Sequence, residues 1–197
     1  MARSDSIDPL VRLLEERAAA RERQDPCANL CTVASVDSDG TPDARTLVLR
    51  ELDGELAVFS NRTSPKWHQF TANGLVAVVV WLPTQNLQYR LRCTTTPVPD
   101  SVVHDSWLLR PLVPKQLDWF YTHRQPQGSP VADRQALLSA LAELALPDPL
   151  VAPETAGGLF LHPTNIDRLD LGQADGVHDR RHFRRTNQGW VESVLVP

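Results

Sequence analysis

The chain has 197 residues, of which 42% are apolar, and a formal net charge of −4. That is enough apolar material for one globular domain with a sizeable core, and a net negative chain has no general field that would gather nucleic acid or anionic lipid. The longest apolar run, Leu75 to Leu82, is too short for a bilayer, and charge rather than an apolar signal region follows Met1 to Asp5, so a cytoplasmic protein with no nucleic-acid or membrane partner is expected.

Cys27, Cys31 and Cys93 do not form a metal-type pair of pairs and read as small apolar residues. His178 and His182 stand four apart without an acidic partner at zinc-site spacing, so no metal is expected. Arg180, Arg181, Arg184 and Arg185 form a local basic cluster.

In chain order, Ile7 to Gln24 places Leu10, Leu13 and Leu14 among charges, which predicts an amphipathic helix ended by Asp25-Pro26. Ala28 to Val36 and Arg45 to Arg50 flank the polar stretch Asp37 to Pro42, the pattern of a hairpin. Thr46 to Leu49 and Leu56 to Phe59, separated by the turn signal Asp53-Gly54, predict two adjacent antiparallel strands, the second spanning Glu55 to Asn61. Ser64-Pro65-Lys66 then reads as an N-cap, a first-position proline and a first-turn cation, with the helix stopping at Asn73-Gly74. A lysine at that end of a helix dipole costs a few tenths of a kcal/mol unless an anion faces it. Two readings follow: a solvated lysine beside an ordinary cap, or a phosphate site.

Leu75 to Trp81 is continuously apolar, as for a strand buried on both faces, and Pro83 closes it. Asn86 to Thr96 alternates, with Leu87, Tyr89, Leu91 and Cys93 on one face and Gln88, Arg90 and Arg92 on the other, where they meet water or a ligand. Five strands with one inserted helix favour an antiparallel barrel over a parallel sheet. Short helices are predicted over His104 to Arg110 and Lys115 to His123, separated by Pro111 and Pro114. A longer helix, started by Ser129-Pro130, is predicted over Val131 to Leu146 with a broad apolar face. Leu159 to Pro163, Ile166 to Leu171, Val177 to Arg184 and Trp190 to Val196 complete the sheet. Residues 1–197 thus read as one domain, with an N-terminal helix at 7–24, a helical insertion at 100–146 and C-terminal strands at 157–197.

Five fragments in one order resemble the pyridoxamine 5'-phosphate oxidase family of FMN-binding split β-barrels. They are Arg45 to Arg50; Val58-Phe59-Ser60-Asn61 with Ser64-Pro65-Lys66; Leu87-Gln88-Tyr89-Arg90; Leu109-Arg110-Pro111; and Gly176 to Arg180. The resemblance implies a mainly β fold with flanking helices, binding FMN at the interface of a homodimer. It puts Arg45, Ser64 and Lys66 around the phosphate, Thr46, Leu47, Val48, Arg50, Phe59 and Ser60 along the flavin, and Gln88 and Arg180 in reach of it. It also puts Arg50, Arg110 and His178 toward a small-molecule substrate that gives a hydride to FMN, dioxygen then reoxidising the flavin.

The chain departs from the family pattern on the substrate side. Ser106 stands where the family has a tyrosine, Pro114 where it has a serine and Gly176 where it has an arginine; Asp170 replaces a tryptophan and Pro65 an arginine near the flavin. Loss of a charged donor forfeits roughly 1.5 to 3 kcal/mol of substrate contact if the pose is kept. An FMN-dependent oxidase acting on a small anion such as pyridoxamine or pyridoxine 5'-phosphate is the leading expectation. Trp107 to Pro111 is also similar to the flavin oxidases of phenazine biosynthesis, which act on tricyclic substrates, and a non-catalytic flavin-binding protein is a third reading.

Overall fold

The computed structural model describes residues 8–197. Asp8 caps the first helix, accepting from the Leu10 amide at 2.8 Å, and Pro9 takes the first helical position, so α1 runs Pro9–Glu22. The expected start at Ile7 lies outside the described residues. Besides Leu13 and Ala20, α1 buries a charge: Arg17 is 1% exposed and donates to the carbonyls of Ala28 and Leu49 at 3.2 and 3.0 Å, which fastens the helix to the sheet.

Strands β1 (Leu30–Val36) and β2 (Pro42–Val48) form the expected hairpin, with the Asp37 carboxylate accepting from the amides of Asp39 and Thr41 in its loop. The next pairing differs from expectation. The run Arg45 to Arg50 is not one strand, because Leu49 turns inward to 2% exposure and its amide bonds to the Asn29 carbonyl at 2.9 Å. Only β3 (Arg50–Leu52) pairs with β4 (Glu55–Asn61), around Asp53-Gly54, whose φ values of 50° and 83° suit a two-residue hairpin turn.

Helix α2 (Pro65–Asn73) has the predicted bounds: Ser64 caps it, and Gly74 ends it in the left-handed conformation. β5 (Leu75–Leu82) and β6 (Leu87–Pro97) follow. β5 is not buried on both faces: Val76, Val78, Val80 and Leu82 point inward, whereas Leu75 is 56% and Trp81 40% exposed. The apolar run therefore covers one inner and one outer sheet face. On β6, Leu87, Tyr89, Leu91 and Cys93 are buried as the alternation predicts.

β7 (Ala156–Asp170) is a single strand where two were expected. Arg92 faces Asn165 while Cys93 faces Pro163, leaving Thr164 as the extra residue of a bulge that absorbs the proline without ending the strand. One half of β7 pairs with β4 and the other with β8 (Asp179–Thr186), which in turn pairs with β9 (Gly189–Leu195). The order β2-β1-β5-β6-β7-β4-β3 is antiparallel throughout, and the sheet curls until β2 approaches β4 without pairing to it. The result is an antiparallel split β-barrel with flanking helices.

Helices α3 (Asp100–Leu108) and α4 (Leu112–His123) close one side of the barrel, with Val103, Trp107 and Phe120 buried. Pro114 falls inside the first turn of α4 rather than ahead of it, where its missing N–H costs no helical bond. The helix expected over Val131 to Leu146 is shorter. Asp133 caps α5 (Arg134–Ala142) by accepting from the Ala136 amide at 2.8 Å, and none of its leucines is buried.

Candidate functional site

Where β2 comes up against β4, a cavity of about 290 Å³ opens. Thr46, Leu47 and Val48 line it from β2, Arg50 from β3, and Phe59 and Ser60 from β4. Among the described residues β2 pairs only with β1, so its outer edge offers main-chain N–H and C=O groups with no ladder partner there, which a planar hydrogen-bonding ring would satisfy. Across the cavity stand Ser106 and Trp107 of α3, Arg110 in the link between the helices, and Asp118 of α4. Arg110 is placed by its own amide, which donates to the Trp107 carbonyl at 3.0 Å as α3 ends, and its guanidinium meets the Asp118 carboxylate.

Ser60 joins this cavity to the start of α2: its hydroxyl lies 3.1 Å from that of Ser64, which is fully buried and caps the Trp67 amide at 3.3 Å. Lys66, in the first turn, donates to the Gln127 side-chain carbonyl at 3.1 Å. Burial pushes the Lys66 amine down from its ordinary value, and the charge of Arg45 pushes it further. A cation desolvated beside a second cation, at the positive end of a helix, is stabilised by a bound anion.

Arg45 reaches toward the same helix from β2. It donates to the Ser35 hydroxyl at 2.7 Å, the Gln69 side-chain carbonyl at 2.8 Å and the Asp43 carboxylate at 2.5 Å, with its guanidinium 5.4 Å from the centre of the Phe70 ring. The donor set of guanidinium, ammonium, two serine hydroxyls and helix amides suits a phosphate, although Asp43 already holds part of the Arg45 charge.

The remaining sequence-predicted residues lie elsewhere. Gln88, half-buried on β6, stands between Trp81 and Leu169 on the outer sheet face. Arg180 of β8 binds Asp167 through two nitrogens, at 3.2 and 2.9 Å, and Arg90 joins the same carboxylate at 2.7 Å. Burial would raise the Asp167 carboxyl, but the hydrogen bonds from Arg180 and Arg90 outweigh it and hold the group below its ordinary value. His178 is exposed just before β8, and Asp179 beside it accepts from Arg181. None of Gln88, His178 and Arg180 lines the cavity at β2. Sequence reasoning missed Asp118. Its one signal was an acid on α4 among Leu117, Trp119 and Phe120, where a solvated helix face would not put it.

Residues 15–146 match the family described as pyridoxamine 5'-phosphate oxidase. A pyridoxine/pyridoxamine 5'-phosphate oxidase of Pseudomonas fluorescens is 33% identical over 184 residues, covering 91% of this chain and 83% of the relative. One from a Nocardioides species is 31% identical over 173 residues, covering 86% and 79%. Among solved structures, PhzG from Burkholderia lata, in complex with tetrahydrophenazine-1-carboxylic acid, superposes with a TM-score of 0.84 at 21% identity, over 98% of this chain and 95% of that one. A pyridoxamine 5'-phosphate oxidase-related, FMN-binding protein of Nostoc punctiforme gives 0.79 at 20% identity, over 98% and 100%. The two structural likenesses carry the fold; the matched residues and the sequence relatives carry the assignment, and this chain belongs to the pyridoxamine 5'-phosphate oxidase family.

Proposed function

We propose that this protein is an FMN-dependent oxidoreductase, an oxidase of a small anionic substrate. The observation that carries it is the continuity from the unpaired edge of β2 through Ser60 to the desolvated Lys66 at the start of α2, which offers a flat hydrogen-bonding edge and an anion corner in one stretch. Arg45, Ser64, Lys66 and the first amides of α2 would hold the phosphate. Thr46, Leu47, Val48, Arg50, Phe59 and Ser60 would border the ring system.

When bound, FMN would supply the electron chemistry, taking two electrons from the substrate as a hydride equivalent and giving them up to dioxygen. The chain supplies binding and orientation, with Trp107 and Phe59 as apolar walls and Arg50 and Arg110 as the cations that draw an anion into the cavity. Gln88, Arg180 and His178 sit away from that cavity, so in this reading they belong to a flavin held by a second copy, the two copies forming a homodimer that shares two sites. The names of the sequence relatives make pyridoxamine and pyridoxine 5'-phosphate the first compounds to test.

Purified protein mixed with FMN and desalted should stay yellow, and Arg45→Ala and Lys66→Ala should each weaken FMN binding by about tenfold or more, the loss of one charge-assisted contact. Colourless protein that takes up no FMN sinks the proposal. Anaerobic addition of a true substrate should bleach the flavin absorbance, and admitting air should restore it.

A further inference from the structure

Asp118 is the group in the cavity that flavin binding leaves without a role. Its side chain is 5% exposed, yet it faces a cavity rather than the core. The carboxylate accepts from the Trp107 indole N–H at 2.9 Å and from the Arg110 guanidinium. Burial holds this carboxyl above its ordinary value, and the charge of Arg110 and the hydrogen bond from the Trp107 indole offset that only in part.

The pairing changes what the cavity can hold. Its charged lining is Arg50, Arg110 and Asp118, two cations and one anion, a net charge of +1. Arg110 is therefore partly neutralised before any ligand arrives. A phosphate monoester carries close to two negative charges at neutral pH, and seated on Arg110 it would put them beside a carboxylate that water does not screen. A carboxylate brings one charge, matches the net charge of the lining and can share the planar guanidinium with Asp118. The walls around it, Phe59, Val103 and Trp107, are apolar and two of them are rings.

We propose that Asp118 determines specificity here, setting the cavity for a monocarboxylate on an aromatic body and against phosphate monoesters. The inference rests on this cavity being the substrate side of the flavin site. Benzoate and phenyl phosphate, which share a ring and differ in charge, are the probes. Each is titrated calorimetrically at neutral pH into protein pre-mixed with FMN, and flavin retention is read by absorbance in the same sample. In the unaltered protein benzoate binds more tightly than phenyl phosphate. Asp118→Asn keeps an acceptor for Trp107 and removes the charge, and should shift the ratio toward phenyl phosphate by about tenfold, because the lost repulsion counts twice for a dianion.

Tighter binding of phenyl phosphate by the unaltered protein overturns the proposal, as does failure of both probes to bind, or an unchanged ratio in a folded Asp118→Asn protein. If that variant does not fold, the order in the unaltered protein decides. Loss of FMN with the expected order preserved overturns the flavin assignment alone; yellow protein with the reverse order overturns the role of Asp118 alone.

Discussion

Tyr89, Glu16 and Arg168 show at the residue scale how this barrel buries charge without destabilising itself. Arg168, 8% exposed, binds Glu16 at 2.8 Å and the Tyr89 hydroxyl at 3.2 Å, while Tyr89 donates to Glu16. Burial and the neighbouring Glu16 charge push the Tyr89 phenol up, so it stays neutral and serves as a donor. Tyr89→Phe should cost about 2 kcal/mol, two hydrogen bonds, because the ion pair survives. Glu16→Ala should cost about 3 kcal/mol by leaving the buried guanidinium only Asp170, at 3.4 Å, as a charge partner, and urea denaturation separates the two cases. Neither this triad nor Arg17 was legible in the sequence. Their charges look like those of any solvated helix or strand until α1 is laid across the sheet, and periodicity alone makes Leu10, Leu13 and Leu14 the only inward positions. Lys66 was legible, because its signal was local: a cap, a proline and a cation in consecutive residues.

The helix α2 shows, at the element scale, how packing from beneath positions the proposed phosphate corner. Gly157 of β7 lies under it, and a Cβ there would fall 2.7 Å from the Trp67 ring and 2.9 Å from Arg62. Gly157→Ala should cost about 2 kcal/mol by overpacking. Because it shifts the element that carries Lys66, it should also weaken FMN binding. Loss of stability with unchanged FMN affinity would separate the helix from the cofactor. Gly74, with φ of 65°, ends the same helix, and Gly74→Ala should cost about 1 kcal/mol in thermal or urea unfolding while leaving FMN affinity alone. The bounds of α2 were readable because caps act within four residues. Those of α5 were not, because Ser129-Pro130 reads as the start, whereas it is the Asp133 carboxylate that meets a helical amide.

For the whole molecule, the split between the cavity at β2 and the group on β6 and β8 makes a prediction that no single chain can mimic. If two copies share each flavin, Lys66→Ala and Arg180→Ala damage the same site from opposite chains. Co-expressed, they should give mixed dimers in which one site carries both defects and the other none, restoring tight FMN binding in roughly a quarter of the sites. No restored fraction in the mixture means that both residues serve from one chain. Sedimentation of the unaltered protein should give a dimer, with the exposed Trp81 on the outer face of β5 a natural reporter of its burial. The sequence by itself determined the alternation of β6, the Asp53-Gly54 turn and the bounds of α2, since each depends on neighbours a few residues apart. Only the tertiary structure decided that β2 ends as an edge unpaired among the described residues, that β7 is one bulged strand, and that Asp118 pairs with Arg110 on one wall of the cavity. The first two rest on contacts between residues far apart in the chain, set by the curl of the sheet and not by the local pattern, and the third on the link between α3 and α4, which brings Asp118 back to Arg110, eight residues before it.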